Sequence, residues 1–218
     1  MLGFPLGTAL PTPTRALAIG CHPDDIEIGC GGTILALTRE HANLAVTWVV
    51  LSANGERATE ARASAEEFLS DADTVDIRLH AFRDGFLPYT GGEVKEVFES
   101  LKSVEPDLVL THTRFDLHQD HRLACELTWN TFRDHLILEY EIPKFDGDLG
   151  VPNVFVPLAE DVVDAKLQLL EAQFGSQVGK HWFDEDLFRG LLRIRGMEAP
   201  SPTRYAEAFT CRKLTLVP

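Results

Sequence analysis

Two short segments carry side chains able to hold a cation and move a proton: CHPDDIEIGCGG at 21–32 and HQDHR at 118–122. A hydrolytic zinc site takes three protein ligands from His, Asp and Glu and leaves one position for water. His22, Asp25 and His121 make up such a set. The His22-x-x-Asp25 spacing lets both side chains reach one ion from a tight turn, which Pro23 stiffens. Asp24 is left free to act as base, because a zinc-bound water has its pKa lowered from about 15.7 to roughly 7, within reach of a carboxylate. His118 is the candidate to stabilise a tetrahedral intermediate, and Asp120 to orient an imidazole through its second ring nitrogen. Two histidines and one aspartate suit several divalent ions, so Zn2+ is the expected cofactor and Fe2+ an alternative.

The elements that must position these residues follow from periodicity. ALAIG (16–20) and LAVTWVVLS (44–52) read as buried parallel strands, and GGTILALTREH (31–41) between them as a helix entered through its glycines. The pattern continues with a helix at 58–72, a strand at 75–82, a helix at 92–104 and a strand at 107–113. Beyond it lie a long helix at 120–136, a strand at 137–143, a strand near 153–158, helices within 159–173 and 184–196, and a final strand near 206–214. The loop at 144–153 is the best candidate for a mobile segment.

This alternation predicts an α/β fold: one three-layer α/β/α, Rossmann-like domain over 15–218 with a mostly parallel sheet. The proline- and glycine-containing stretch 1–14 reads as an extended lead-in. In such sheets ligands bind beyond the carboxyl ends of the strands. Residues 21–32 follow the first strand and 118–122 the fourth, so the two segments face one edge.

With 218 residues, 44% hydrophobic and 25% charged, the chain has the composition of an ordinary globular domain. A net charge of −14 argues against nucleic acid or an anionic membrane as partner. No apolar run is long enough to span a bilayer, and the start lacks the features of a signal peptide. Cys21, Cys30, Cys125 and Cys211 form no CxxC pair and read as free thiols, which points to the cytoplasm. Gly29, Gly31 and Gly32 do not meet the GxGxxG dinucleotide spacing, and two carboxylates would repel a pyrophosphate there. Close backbone approach around the metal is the expected reason for these glycines. His41, His80, His112, His135 and His181 lack comparable context and are assigned structural or exposed roles. Arg57, Arg62, Arg83, Arg114 and Arg122 fall near the expected mouth, with Arg62 and Arg83 singled out as anion contacts.

On AIGCHPDDIEIGCGG and HQDH, the sequence resembles the PIG-L/LmbE family of zinc-dependent deacetylases, over roughly residues 15–135. The resemblance implies removal of an N-acetyl group from an amino-sugar-type small molecule, with His22, Asp25 and His121 as metal ligands, Asp24 as base and His118 assisting the transition state. It also implies sugar contacts from an Arg-x-x-Glu pair and an Asp-Gly step. Arg62 with Glu66, spaced by four, and Asp84-Gly85 are taken as their counterparts. Alternatives are hydrolysis of another small amide such as a thiol conjugate, or a non-catalytic ligand-binding domain; a homo-oligomer is compatible with either.

Overall fold

The runs expected as the first two strands lie side by side and parallel in a computed structural model of the chain, which describes residue 3 and residues 6–215. Strands β1 (Thr14–Gly20), β2 (Leu44–Val50), β3 (Thr74–Leu79), β4 (Leu108–His112) and β5 (Leu136–Tyr140) are parallel. With β6 (Val154–Leu158) and β7 (Tyr205–Thr210) they form one sheet in the order β3-β2-β1-β4-β5-β7-β6, where β7 is antiparallel to both neighbours. The result is the mostly parallel α/β architecture expected from the sequence.

Strand alternation feeds two cores. Ala16 and Ala18 of β1 face one, Leu17 and Ile19 the other. Helices α2 (Asp25–Glu40), α3 (Gly55–Phe68), α6 (Glu160–Gln173) and α7 (Glu185–Glu198) contribute to the first core, around Trp48, Phe68 and Tyr140. Helices α4 (Gly91–Leu101) and α5 (Gln119–Thr131) close the second. Their apolar spacing explains this: Val94, Phe98 and Leu101 form one buried stripe of α4, as Ala61, Ala65 and Phe68 do on α3.

Several boundaries differ from expectation. The lead-in contains a one-turn helix α1 (Leu6–Ala9), because the Leu10 N–H closes on the Leu6 carbonyl at 3.1 Å and the Leu10 side chain joins the core. Met1, Leu2, Phe4 and Pro5 of that stretch lie outside the described residues. The helix expected to run to 136 ends at Thr131, where buried Phe132 caps it and frees Leu136 to start β5. Segment 144–153 holds no regular element but is tied down: Lys144 pairs with Asp116 at 2.9 Å, and Asp148 accepts the Leu117 N–H at 2.6 Å.

The largest correction concerns the glycines. α2 begins at Asp25, so Gly29, Gly31 and Gly32 are inside the helix instead of at its entrance. They serve packing, not approach to a metal. A Cβ on Gly29 would lie 2.1 Å from the Tyr140 ring, on Gly31 2.7 Å from Phe68, and on Gly32 2.5 Å from Leu158. Side chains from three other elements therefore press α2 onto the sheet. A buried ion pair locks the same stretch: Lys166 Nζ donates to Glu207 Oε1 and to the Ile28 carbonyl, both at 2.7 Å, while Glu207 accepts the Gly32 and Thr33 N–H groups at 2.8 and 2.6 Å.

Alanine is the better helix former by about 1 kcal/mol, yet Gly29→Ala drives a methyl into a ring whose hydroxyl is held by the Ile19 carbonyl at 2.6 Å. The expected net loss is about 1–3 kcal/mol, read as a lower urea midpoint at unchanged slope. A midpoint at or above that of the parent would mean that Tyr140 moves aside freely.

Candidate metal centre and active site

β1 and β4 are neighbours, and the helices that follow them leave on opposite faces of the sheet, which makes the crevice between their carboxyl ends the topological switch point. β1 runs into Cys21-His22-Pro23-Asp24, where Asp24 is the N-cap residue of α2 and Asp25 its first helical residue. β4 runs into a loop ending at His118, the N-cap of α5, whose ring accepts the Asp120 N–H at 3.3 Å. Two helix N-termini thus converge, favouring carboxylate charge between them.

At the centre three atoms form a triangle. His22 Nδ1 lies 3.1 Å from His121 Nε2, and Asp25 Oδ2 lies 3.3 Å from the former and 3.4 Å from the latter. Two ligands bound at 2.0–2.1 Å in a tetrahedron are themselves about 3.3 Å apart. The donor set therefore matches a zinc-sized ion in spacing and in chemistry.

Carboxylates and backbone N–H groups around the triangle hold its members in place. Asp116 Oδ2 takes the His121 Nδ1 proton at 2.9 Å, so Nε2 presents its lone pair. His22 Nε2 lies 3.0 Å from Asp84 Oδ1 and 3.5 Å from Asp120 Oδ2, leaving Nδ1 inward. Asp25 Oδ2 accepts the Cys21 and His22 N–H groups at 3.0 and 2.7 Å.

Electrostatics agree. Burial alone would raise the Asp25 carboxyl, but the facing His121, His112 and His22 hold it well below the usual range. Burial would lower His22 and His121, yet Asp25 and the other nearby carboxylates raise both. Burial and the surrounding aspartates push the Cys21 thiol up, and Cys21 lies with Asp25, His112 and His121 in a second group of possible ligand atoms within 4.8 Å of one another.

Asp24 stands apart from the triangle. It is buried, which raises its pKa against the pull of Arg57, whose Nη2 lies 3.0 Å away, and Asp25 raises it further. His118 keeps a lowered pKa, first through burial and then through His121 and His22. Both line a cavity of about 500 Å3, together with His22, Asp84 and His121. Asp120 lies beneath, its two oxygens holding the Gly85 and Leu87 N–H groups at 2.7 and 3.1 Å and thereby placing Asp84.

The cavity thus gathers His22, Asp24, Asp25, Asp84, His118 and His121, with Asp120 directly behind them. Arg62 is not among them: it is exposed on α3 and outside the cavity. Arg57 occupies that place, and Arg57-Ala58-Thr59-Glu60 has the Arg-x-x-Glu spacing that Arg62 and Glu66 lack. Sequence reasoning passed over Asp116, and gave His112, at the end of β4, a structural role with orientation of the site as the lesser alternative. The signal for Asp116 was its position two residues before His118 and five before His121. His112 is fully buried, stacks on His121 with ring centroids 3.8 Å apart, and lies 3.2 Å from Asp25 Oδ2. Burial and His121 depress it to about 4, so it is a neutral spacer that fixes the His121 ring plane.

Residues 17–132 match the family model described as GlcNAc-PI de-N-acetylase. The chain belongs to this PIG-L family. It is 29% identical to diacetylchitobiose deacetylase of Thermococcus kodakarensis over 239 aligned positions, covering 95% of this chain and 86% of that protein. It is 30% identical to the uncharacterized deacetylase YaiS of Escherichia coli K12 over 166 positions, 71% of this chain and 88% of YaiS. Among solved structures it resembles the 4-carboxy-2-hydroxymuconate hydratase GalB from Pseudomonas putida KT2440, with TM-score 0.76, 17% identity, and coverage of 94% and 98%. At that identity the likeness concerns the fold, and a shared fold does not select a reaction.

Asp116→Asn keeps the size of the side chain but weakens the hydrogen bond that sets the His121 tautomer. Metal affinity should fall by about 10- to 100-fold, measured by competition with a chromophoric chelator. Unchanged affinity would remove Asp116 from the support of the site.

Proposed function

We propose that this PIG-L family protein is a zinc-dependent hydrolase that removes the N-acetyl group from an amino-sugar-type substrate. The observation that carries the reading is the triangle of His22 Nδ1, Asp25 Oδ2 and His121 Nε2 beside a buried carboxylate, Asp24, that is not part of it. A divalent ion held by these three residues supplies Lewis acidity toward a carbonyl oxygen and lowers the pKa of a water.

The remaining work falls to the protein. Asp24, its pKa raised by burial, accepts a proton from the attacking water and passes it to the departing amine. Arg57 keeps that carboxylate in place, and Glu60 on the next turn steadies Arg57 at 3.1 Å. His118 receives the Asp120 N–H on Nδ1, so its own proton sits on Nε2, available to the negative charge that develops on the carbonyl oxygen. Asp84, three-quarters exposed at the mouth, suits a sugar hydroxyl. Both curated relatives above carry the name deacetylase, which favours this reading over hydration or binding alone. The free thiols of Cys21, Cys30, Cys125 and Cys211 fit a reducing, cytoplasmic setting.

Zinc-loaded protein should release acetate from one or more members of a panel of N-acetylated sugars, nucleotide sugars and thiol conjugates. Silence across the sugars with turnover of the conjugates would move the substrate to another small amide, and silence throughout would end the hydrolase reading. Asp24→Asn should retain the metal while kcat falls by about 10²- to 10⁴-fold. A fully active variant would remove Asp24 as base.

A further inference from the structure

Helix α7 buries Phe188, Leu192, Arg195 and Gly196 and leaves an apolar row on its opposite face. Leu187, Ile194 and Met197 are 38%, 50% and 62% exposed there, with half-buried Leu191 between them. Spacing of three or four residues stacks these side chains along one side of the helix. Exposed apolar side chains scattered singly need no explanation, but a row of them marks a contact surface. Gly190 lies in the middle of this row. Gly29, Gly31, Gly32 and Gly196 answer to neighbours inside the chain, the last because a Cβ there would lie 2.0 Å from the Arg204 carbonyl oxygen, whereas a Cβ on Gly190 would meet nothing within 4 Å. Glycine is a poor helix former, so at a position with no steric reason inside the chain, close approach from outside supplies one. Charges flank the row. Arg189 is committed to Asp164 and Glu185 at 2.9 and 3.0 Å, but exposed Asp186 forms no ion pair among the described residues, and Arg193 donates to the Arg204 carbonyl at 3.3 Å.

We propose that this face of α7 binds a second copy of the chain, the two α7 helices packing antiparallel about a twofold axis beside Gly190. A twofold contact brings the same patch of both copies together, so the patch must complement itself. Antiparallel pairing meets that condition, because residues lying about equally far before and after Gly190 then face each other. Gly190 meets its counterpart, Leu187 and Ile194 of one copy enclose those of the other, and Asp186 comes opposite Arg193 of the second copy. Parallel pairing would set Asp186 against Asp186 and align the two helix dipoles unfavourably. The glycines at the axis let the helices approach closely enough for the flanking apolar side chains to interlock. Fourteen residues of helix span about 21 Å, so this contact falls below the roughly 1,200 Å2 of a standard interface. The dimer is therefore weak, with a Kd of about 10–100 μM. The proposal holds whatever reaction the active site performs.

Sedimentation velocity of the full chain, over about 5 to 500 μM, should show monomer passing into dimer. Ile194→Asp and Gly190→Glu place charge on the outward face, where folding is little at risk, and should each raise the dissociation constant at least about tenfold. Circular dichroism of the dilute variants should match that of the parent. Asp186→Arg and Arg193→Asp should each weaken the dimer by about 3- to 10-fold, and the two together should restore it, since the pair is then re-formed with its signs exchanged. Monomer at every concentration would overturn the proposal, as would an assembly of any size that Ile194→Asp and Gly190→Glu leave unchanged. Failure of the double charge exchange to recover association would overturn the antiparallel arrangement.

Discussion

Asp25 Oδ2 is the atom on which the arrangement depends. It terminates β1 by accepting the N–H groups of Cys21 and His22, opens α2 as its first residue, and faces His22, His112 and His121 within 3.4 Å. A carboxylate so deeply buried is costly unless positive charge and donors surround it. The imidazoles, two backbone N–H groups and the α2 N-terminus meet that demand together. A bound divalent ion would meet it more fully, since Asp84, Asp116 and Asp120 add further negative charge around the same histidines.

Holding Asp25 in place requires α2 to lie close against the sheet and its neighbours. Gly29, Gly31 and Gly32 allow that approach, with Tyr140, Phe68 and Leu158 filling the space where methyl groups would stand. The Lys166–Glu207 pair joins α6 and β7 to the middle of the same helix, so the C-terminal third, remote in sequence from HPDD, supports the segment that carries it. Tyr140 works on both sides of this arrangement: its ring fills the Gly29 notch, while its hydroxyl reaches the Ile19 carbonyl and lies 3.2 Å from His112.

A chain of polar contacts also joins Asp24 to the cavity wall. Arg57 links Asp24 to Glu60, and Glu60 accepts from both the backbone N–H and the hydroxyl of Ser176, next to Gln177 on the cavity lining. Asp24 and the wall of the cavity are thereby held by one network. The family model ends at residue 132, whereas the groove beside the site is lined by residues 143–188.

Local pattern determined much of this protein. Apolar runs with β-branched residues placed the strands within a few residues, and HPDD and HQDH identified the triangle before any contact was known, because ligand chemistry depends on residue type and short spacing. Position relative to the strands was legible too, since loops after parallel strands share an edge. The spacing Arg57-x-x-Glu60 already favoured Arg57 over Arg62, and the tertiary structure showed that only Arg57 faces the cavity. Tertiary structure alone decided that the α2 glycines answer to Tyr140, Phe68 and Leu158, and that His112 stacks beneath His121. These partners lie far away along the chain, and no local period records which distant side chain will arrive to fill a notch or cover a ring.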